Sequence, residues 1–297
     1  MTEQPNILCI GAALWDIIGR APAQMRVGSD VPGRITRIPG GVALNIAMAL
    51  ARFGMRPAVL GAVGRDASGQ SLMAEMEARG IDTAHLYRSD DLPTDTYMAI
   101  EGANGLIAAI ADAHSLEAAG EKILTPLADG RLGSDAAPWR GLVALDGNLT
   151  VGLLARIATS PLFRQADLRV APASPGKGER LLPLVRRAGT TLYVNLEEAC
   201  LLTGQTHTHS ADAARALIAR GAARVLVTDG ARDTSDADGA DVLTLAPRQV
   251  QVARVTGAGD TFMAAHIAAE ARGMDRGAAL AQALLAAADY VAGGPEI

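Results

Sequence analysis

Short, mainly apolar runs recur along the chain, and each leads into glycine, proline or polar residues. They lie at residues 7–11, 57–64, 141–148, 168–175, 192–195 and 223–230. Runs of this length without polar alternation are typical of strands that are buried on both faces of a parallel sheet. Stretches with helical spacing lie between or after them, as at residues 42–53 and 278–291. The sequence therefore predicts an α/β fold, a doubly wound three-layer αβα domain.

Size and composition restrict the class of protein. The 297 residues suffice to bury a large core, and we expect one domain over residues 1–297. Hydrophobic residues make up 49% and charged residues 20% of the chain, with a formal net charge of -5, as in an ordinary globular protein. The 27 Lys and Arg residues are scattered, so we expect no nucleic acid polymer as partner.

The cysteines and the N-terminus carry no special signal. Cys9 and Cys200 lie within apolar runs without the spacing of metal ligands, which argues against a metal cluster or a disulfide framework. No basic segment precedes an apolar core at the N-terminus, and no apolar run is long enough to span a bilayer. We therefore expect no membrane partner and a cytoplasmic protein.

Two regions predict a small second sheet. Polar and apolar residues alternate over residues 20–39, where glycine and proline break the pattern into short edge strands and turns. Residues 94–113 hold two alternating runs on either side of a turn at residues 102–105, which predicts a β-hairpin.

A glycine-rich turn at residues 254–262 runs directly into an alanine-rich helical stretch. Gly257 and Gly259 let successive backbone N–H groups converge on an anion at the positive end of the helix. Asp260 would repel a phosphate there unless it has another task, such as accepting a proton from an attacking hydroxyl. The alternative is that Asp260 only caps the helix. At this point both interpretations stay open.

A second motif favours the catalytic interpretation. Residues 39–47, read together with residues 255–262, resemble the paired signatures of the ribokinase-like (PfkB-type) kinases of sugars and nucleosides. The resemblance extends from the first strand to the last helix. It implies ATP-dependent transfer of a phosphoryl group to a hydroxyl of a small-molecule sugar or nucleoside. It also implies a β-sheet lid, formed by about residues 12–39 and 94–113, whose exposed face is a candidate homodimer interface.

The same resemblance implies roles for individual residues. Catalysis would fall to Asp260 as the base and to the anion hole of Gly257, Ala258 and Gly259. The sugar would be held by Asp16, Gly40, Gly41 and Asn45, and the nucleotide by Thr228, Gly230, Thr256, Gly257 and Gly259. Asn195 and Glu198 match an Asn-x-x-Glu element that holds Mg²⁺ through water, and oxygen ligands suit this ion. Taken alone, the same pair also fits a helix capping box.

The chain departs from the family pattern in several places. Ala171 stands where many relatives have an acidic or amide residue. Arg254 stands where many relatives have an aspartate that helps to hold an activating K⁺, and a guanidinium cannot ligate a cation. The acidic residues 229–239 predict a mobile loop that would repel ATP unless its carboxylates point outward. Lys177 would either lean toward phosphate or be solvated.

Within the family, the sequence most resembles the pseudouridine kinases. The likeness rests on residues 31–35, 62–66, 69–72 and 109–112 ahead of 145–148. It implies conversion of pseudouridine to pseudouridine 5′-phosphate, with Asp112 and Asn148 hydrogen-bonded to the base. Ribokinase, adenosine kinase or another sugar kinase is the alternative of the same class.

Two alternatives belong to other classes of protein. A Rossmann-type oxidoreductase is disfavoured because no Gly-x-Gly-x-x-Gly follows the first strand. A catalytically silent nucleoside- or sugar-binding protein would be expected to lose the base, yet Asp260 is present.

Overall fold

The structure is a computed structural model that describes residues 4–26, 28, 30–173, 175–239 and 241–294. In chain order, its strands are β1 (Ile7–Ile10), β2 (Leu14–Arg20), β3 (Arg34–Gly40), β4 (Pro57–Leu60), β5 (Ala62–Gly64), β6 (Tyr87–Ser89), β7 (Thr96–Gly102), β8 (Gly105–Asp112), β9 (Leu142–Asp146), β10 (Asp167–Ala171), β11 (Thr190–Asn195), β12 (Arg224–Asp229), β13 (Arg232–Asp238) and β14 (Asp241–Leu245). The α-helices are α1 (Val42–Arg52), α2 (Ala67–Ala78), α3 (His114–Ala119), α4 (Thr125–Ala128), α5 (Val151–Thr159), α6 (Leu182–Val185), α7 (Leu196–Thr203), α8 (Ser210–Ala219), α9 (Ala258–Ala271) and α10 (Arg276–Val291). Short 3₁₀ segments lie at Gly120–Leu124, Pro161–Phe163 and Pro175–Leu181.

The main sheet has eight strands in the order β14-β13-β12-β11-β10-β9-β1-β4. Six strands of this sheet are parallel to one another, namely β4, β1, β9, β10, β11 and β12. Strands β13 and β14 form an antiparallel edge. The chain leaves β1 toward β4 on one side and later continues from β9 on the other side. The strand order thus reverses between β1 and β9, the point where open α/β sheets bind ligands at the carboxyl ends of their strands.

Two hydrophobic cores sandwich this sheet. Ile7 and Cys9 point into a core with α1, α2, α9 and α10, whereas Leu8 and Ile10 point into a core with α3 to α8. All four side chains are fully buried, as expected for a strand covered on both faces. The three-layer αβα arrangement predicted from the apolar runs is confirmed.

A separate four-stranded sheet, here called the lid sheet, has the order β3-β2-β7-β8. Its β7–β8 hairpin confirms the turn predicted at residues 102–105. Of the short edge strands predicted within residues 20–39, β3 forms among the described residues. Its partner β2 begins at Leu14, where Asp16 interrupts an apolar run, and lies within the range of about 12–39 that the family resemblance implied for the lid.

The acidic loop predicted near the nucleotide site was wrong over residues 232–238, which form strand β13. Thr234 to Ala237 are buried, and Asp236 accepts hydrogen bonds from Arg224 and Arg276. Asp229 pairs with Arg232 at 2.7 Å. These arginines neutralise the carboxylates with which they pair. In the sequence Asp236 looks unpaired, because Arg224 and Arg276 are not adjacent to it along the chain.

In the part of the chain that the structure describes, no helix has the length and apolar character needed to cross a membrane. Cys9 and Cys200 are both free thiols. Their position in apolar runs predicts that both are buried, which holds for Cys9, whereas Cys200 is only partly buried.

Candidate active site

Asp146 organises the edge of the main sheet where the strand order reverses. It ends β9 and is fully buried, and its Oδ2 accepts hydrogen bonds from the backbone N–H of Ala12 (2.9 Å) and of Ala43 (3.3 Å). Burial raises the pKa of this carboxyl, while the N–H donors oppose the rise. Gly11 lies so close that a Cβ there would be 2.3 Å from the Asp146 Cβ. Asp146 therefore links the end of β1 to the first turn of α1.

Asp16 and the glycine pair predicted to bind the sugar lie against one another. A Cβ on Gly40 would lie 2.2 Å from the Asp16 Oδ2, so a larger residue at this position would displace the Asp16 carboxylate. Gly41 has φ of 95°, and its Cβ would lie 2.5 Å from the Ala12 carbonyl oxygen. Burial raises the pKa of Asp16 to about 6. The lid sheet thus delivers a carboxylate directly to the start of α1.

Asn45 and Asp260 meet between α1 and α9. The Asn45 Nδ2 donates to the Asp260 Oδ2 at 3.0 Å. Burial raises the pKa of Asp260 to about 7; the Asn45 hydrogen bond opposes the rise, and the nearby charges of Asp146 and Glu198 add to it. A carboxyl with this pKa can exchange a proton near neutral pH, as a general base requires.

The turn before Asp260 exposes backbone donors at the start of α9. Gly257 is the N-cap with φ of 87°, a conformation that favours glycine, and no side chain caps the helix. Within the described residues, the N–H groups of Gly259 and Asp260 have no hydrogen-bond acceptor. A Cβ on Gly259 would meet nothing within 4 Å, so its small size leaves open space in front of these donors. The positive end of the helix dipole lies at the same place.

Asn195 and Glu198 form a capping box at the start of α7. The Asn195 Oδ1 accepts from the Glu198 N–H, and the Glu198 Oε2 accepts from the Asn195 N–H, both at 2.8 Å. Burial raises the pKa of Glu198 to about 7, and the neighbouring charge of Glu197 adds to the rise. Among the described residues, the Glu198 Oε1 has no hydrogen-bond partner. One carboxylate oxygen thus stays available to a cation, and positive charge there would offset the cost of burying the carboxylate.

Among the described residues, Asp16, Gly40, Gly41 and Asp146 do not line the main cavity of the site. The other groups share this cavity, which has a volume of about 370 Å³. Its walls include Asn45, Asn195, Glu198, Thr256, Gly257, Gly259 and Asp260. A neighbouring cavity of about 220 Å³ is mainly apolar and has walls from α10 and from residues 247–255. Thr228, Gly259 and Phe262 line both cavities, so the two adjoin. Gly230 and Ala258 line the apolar one. The pair suits a ligand with a charged part and a flat apolar part.

Two residues predicted to contact the base lie elsewhere or are already engaged. Asp112 pairs with Thr96 in the lid sheet, on the face opposite Asp16, and its Oδ1 lies 3.0 Å from the His114 Nδ1. The structure therefore does not bring Asp112 to the other site residues. The Asn148 side chain donates to Asp146 and accepts from the Lys177 Nζ at 2.6 Å. Lys177 is thus paired rather than freely solvated.

Residue patterns in the sequence did not single out every group that shapes this site. Asp146 is the last residue of the buried strand β9, and in the sequence nothing distinguishes it from the nearby polar Asn148. Tyr193 lines the larger cavity, and its hydroxyl lies 2.8 Å from the buried His266 Nδ1. Burial lowers the pKa of His266 to about 4, so it is neutral at pH 7. An isolated histidine in an alanine-rich helix gave no indication of this contact.

Comparisons with known proteins agree with this arrangement. Residues 4–292 match the model of the pfkB family of carbohydrate kinases. The chain is 32% identical over 275 residues to the uncharacterized sugar kinase YeiI of Escherichia coli strain K12, covering 89% of this chain and 72% of that one. It is 28% identical over 281 residues to the pseudouridine kinase of the same organism, covering 89% and 83%.

A solved structure shows the same architecture. A carbohydrate kinase from Agrobacterium tumefaciens superposes with a TM-score of 0.80 at 26% identity, covering 96% of this chain and 90% of that one. The chain therefore belongs to the pfkB family of carbohydrate kinases, whose members use ATP, and it is an ATP-dependent sugar or nucleoside kinase.

Proposed function

We propose that this kinase phosphorylates the 5′-hydroxyl of a ribose-containing small molecule, most specifically that of pseudouridine. The observation that carries the phosphotransfer proposal is the position of Asp260. Its carboxyl is held by Asn45 and directly follows the donors of the Gly257–Gly259 turn in one cavity. A base and an anion hole side by side match the needs of phosphoryl transfer.

In the proposed reaction, the 5′-hydroxyl oxygen attacks the γ-phosphorus of ATP while Asp260 takes up the hydroxyl proton. The bond from the γ-phosphorus to the β,γ-bridging oxygen breaks, and ADP leaves with that electron pair. The N–H groups at Gly257 and Gly259 stabilise the charge on the transferring group. The third predicted donor, the Ala258 N–H, already donates to the Val255 carbonyl at 3.0 Å, so it would have to leave that partner to contribute. Asp16, Gly40, Gly41 and Asn45 orient the sugar so that only one hydroxyl reaches Asp260.

The nucleotide would span the two adjoining cavities. The apolar walls from α10 suit the adenine, with alanines at 287 and 288 leaving room for a flat base. The phosphates would then pass Thr228, Gly230 and Thr256 toward the turn at Gly257 and Gly259. Mg²⁺, when bound through water near Asn195 and Glu198, would neutralise phosphate charge.

Pseudouridine as the acceptor is supported by the pseudouridine kinase relative and by the sequence likeness to that group. Asp112 gives this assignment no support, because it lies on the far face of the lid sheet. The remaining polar candidate for base contacts is the pair Asn148 and Lys177 at the carboxyl end of β9. Ribose, adenosine and other sugars are the competing acceptors of the same class.

ADP release across a panel of acceptors tests this assignment. We expect kcat/KM for pseudouridine to exceed that for uridine and for free ribose, with a product phosphorylated at the 5′ position. Preference for ribose or adenosine would reject pseudouridine and leave the kinase activity standing. Stoichiometric acceptor binding without ADP release would instead favour a silent binding protein.

We also propose that two copies associate through the lid sheet. The face opposite Asp16 carries Ile35, Met98, Ile100 and Ile110, which are 77%, 43%, 39% and 68% exposed. Such a contiguous apolar face is typical of an interface. Light scattering on the wild type and on Ile110→Glu tests this: we expect a dimer that becomes a monomer, and a monomeric wild type would refute it.

A further inference from the structure

The segment before the anion-binding turn is attached to the C-terminal end of the last helix. The backbone N–H groups of Ala253 and Arg254 both donate to the Val291 carbonyl, at 2.9 and 3.2 Å. The Arg254 guanidinium donates through Nε to the Tyr290 carbonyl at 3.0 Å and through Nη2 to the Gly294 carbonyl. Arg254 therefore binds the end of α10 with both its main chain and its side chain.

Tyr290 closes this connection from the other side. Its ring lies under the Arg254 guanidinium, 4.0 Å from the guanidinium carbon to the ring centroid. Its hydroxyl donates to the Thr256 carbonyl at 2.8 Å, one residue before Gly257. A single side chain thus contacts both the arginine and the turn that carries the candidate anion hole.

The charges at this contact are complementary. Carbonyl groups at the last turn of a helix carry partial negative charge, and a cation placed there is stabilised. A guanidinium has a planar set of donors that can serve two carbonyls at once and stack on an aromatic ring. Lysine offers the same charge without this geometry.

Helix α10 also forms a wall of the apolar cavity through Leu284, Ala287, Ala288 and Val291. The helix that would contact the nucleotide base is therefore the one to which Arg254 attaches the turn. Any displacement of Thr256 relative to α10 changes the distance between the base cavity and the donors of Gly257–Gly259.

We infer that Arg254 and Tyr290 are positioning residues that hold the anion-binding turn at a fixed place relative to the base cavity. This inference rests on the proposed phosphotransfer at that turn. Neither residue is expected to take part in the chemistry. A displacement of reacting groups by about 1 Å can cost about 10²-fold in rate, so loss of the contact is expected to appear mainly in kcat.

Two conservative variants separate the positioning of the turn from the charge of Arg254 and from the packing of the Tyr290 ring. Arg254→Lys keeps the positive charge but loses the two-carbonyl geometry. Tyr290→Phe keeps the ring under the guanidinium and loses only the hydroxyl bond to Thr256. Arg272→Met is the matched control, because Arg272 also donates from its guanidinium to a backbone carbonyl, that of Phe53, at the opposite end of α9.

The experiment measures kcat and KM for ATP, the melting temperature, and hydrogen exchange of the amides of residues 255–260. We expect about 10- to 100-fold lower kcat in Arg254→Lys and a smaller loss in Tyr290→Phe. Both variants should show faster exchange in this segment, and Arg272→Met should behave as the wild type. Wild-type kcat and exchange in both variants, or a lower melting temperature alone, would overturn the inference.

Hydrogen exchange needs no acceptor, so it separates this inference from the proposed function. If the wild type phosphorylates no acceptor, the proposed function fails. Faster exchange confined to residues 255–260 in the two variants would still support the positioning role, and unchanged exchange would refute it.

Discussion

The Asn45 side-chain amide donates to the Asp260 carboxyl at 3.0 Å, joining two helices across 215 positions of the chain. Asn45 lies in the first turn of α1 and Asp260 in the first turn of α9. The bond favours the charged carboxylate, whereas burial and the charges of Asp146 and Glu198 favour the neutral acid. The protonation state of the proposed base therefore depends on the balance between this donor and the opposing effects of burial and nearby charge.

The pH dependence of kcat/KM follows from that balance. Asp260 must be deprotonated to accept a proton, and its pKa is about 7. We expect kcat/KM to rise with pH, with unit slope on a logarithmic scale, and to level off above about pH 7. In Asn45→Ala, loss of the donor should move this rise to higher pH.

The measurement is a pH profile for the wild type, Asn45→Ala and Asn6→Ala. Asn6 is a suitable control because its side chain accepts a hydrogen bond from the Arg56 N–H on the exposed surface, away from the site. A rise centred near pH 4 in the wild type, or an identical profile in Asn45→Ala, would contradict the assignment.

Asp260→Asn is expected to stabilise the fold at high pH. The folded-state pKa of Asp260 is raised from 3.8 to about 7, so the charged form costs stability, and this cost grows as the pH rises from 3.8 to 7. An asparagine carries no such cost and can still accept from Asn45. We expect the melting temperature to increase by about 2–4 °C at pH 8 and to be unchanged near pH 4.

Thermal melts at both pH values test this. Asp90→Asn serves as the control, since the Asp90 side chain is 84% exposed. A gain that is equal at both pH values would show that the effect does not come from the charge of Asp260.

The two glycines of the turn should respond differently to alanine. Gly257 has φ of 87°, which strains any other residue, so Gly257→Ala should lower the melting temperature.

Gly259 lies in α9 with no atom within 4 Å of a new Cβ, so Gly259→Ala should keep or raise the melting temperature. Its methyl group would fill the space in front of the anion-binding donors. We therefore expect Gly259→Ala to bind ATP more weakly and its kcat to be lower than that of the wild type by about 10-fold or more. Calorimetry and steady-state rates check this, and normal ATP affinity in Gly259→Ala would place the phosphates elsewhere.

Potassium is expected to have little effect. Arg254 stands at the position where the family resemblance implies an aspartate that holds K⁺, and its guanidinium occupies the carbonyls of Tyr290 and Gly294. Rates in KCl should equal those in the chloride of a large organic cation at the same concentration. Stimulation by K⁺ of several-fold would show this prediction wrong.

The sequence predicted the main sheet well because buried parallel strands leave an apolar run that needs no partner to be recognised. The sequence-based prediction was wrong for segments whose structure depends on contacts with other elements. Strand β13 looked like an acidic loop because Arg224 and Arg276, which pair with Asp236, lie 12 and 40 positions away from it on other elements. Asp112 was expected to contact the base. Successive residues of a strand point to opposite faces of a sheet, so the face on which Asp112 lies depends on how β8 pairs with β7, and the sequence does not reveal that pairing.

The residues of the candidate site also fall into two groups, those that local motifs reveal and those that depend on contacts between distant parts of the chain. The turn glycines Gly257 and Gly259 and the Asn195–Glu198 pair follow from local motifs, and the structure brings these four residues into one cavity. The role of Asp146 depends on contacts with Ala12 and Ala43, which lie more than 100 positions away. Periodicity and turn signals describe neighbours along the chain, so such contacts leave no local signal.

The rate of ADP formation by Asp260→Asn tests the central claim most directly. It is measured against the wild type with saturating ATP and the best acceptor, together with ATP affinity by calorimetry. Because only the proton acceptor changes, we expect kcat to fall by about 10²–10⁴-fold while ATP binding stays nearly intact. Turnover close to that of the wild type would contradict the account, since Asp260 could not then be the base.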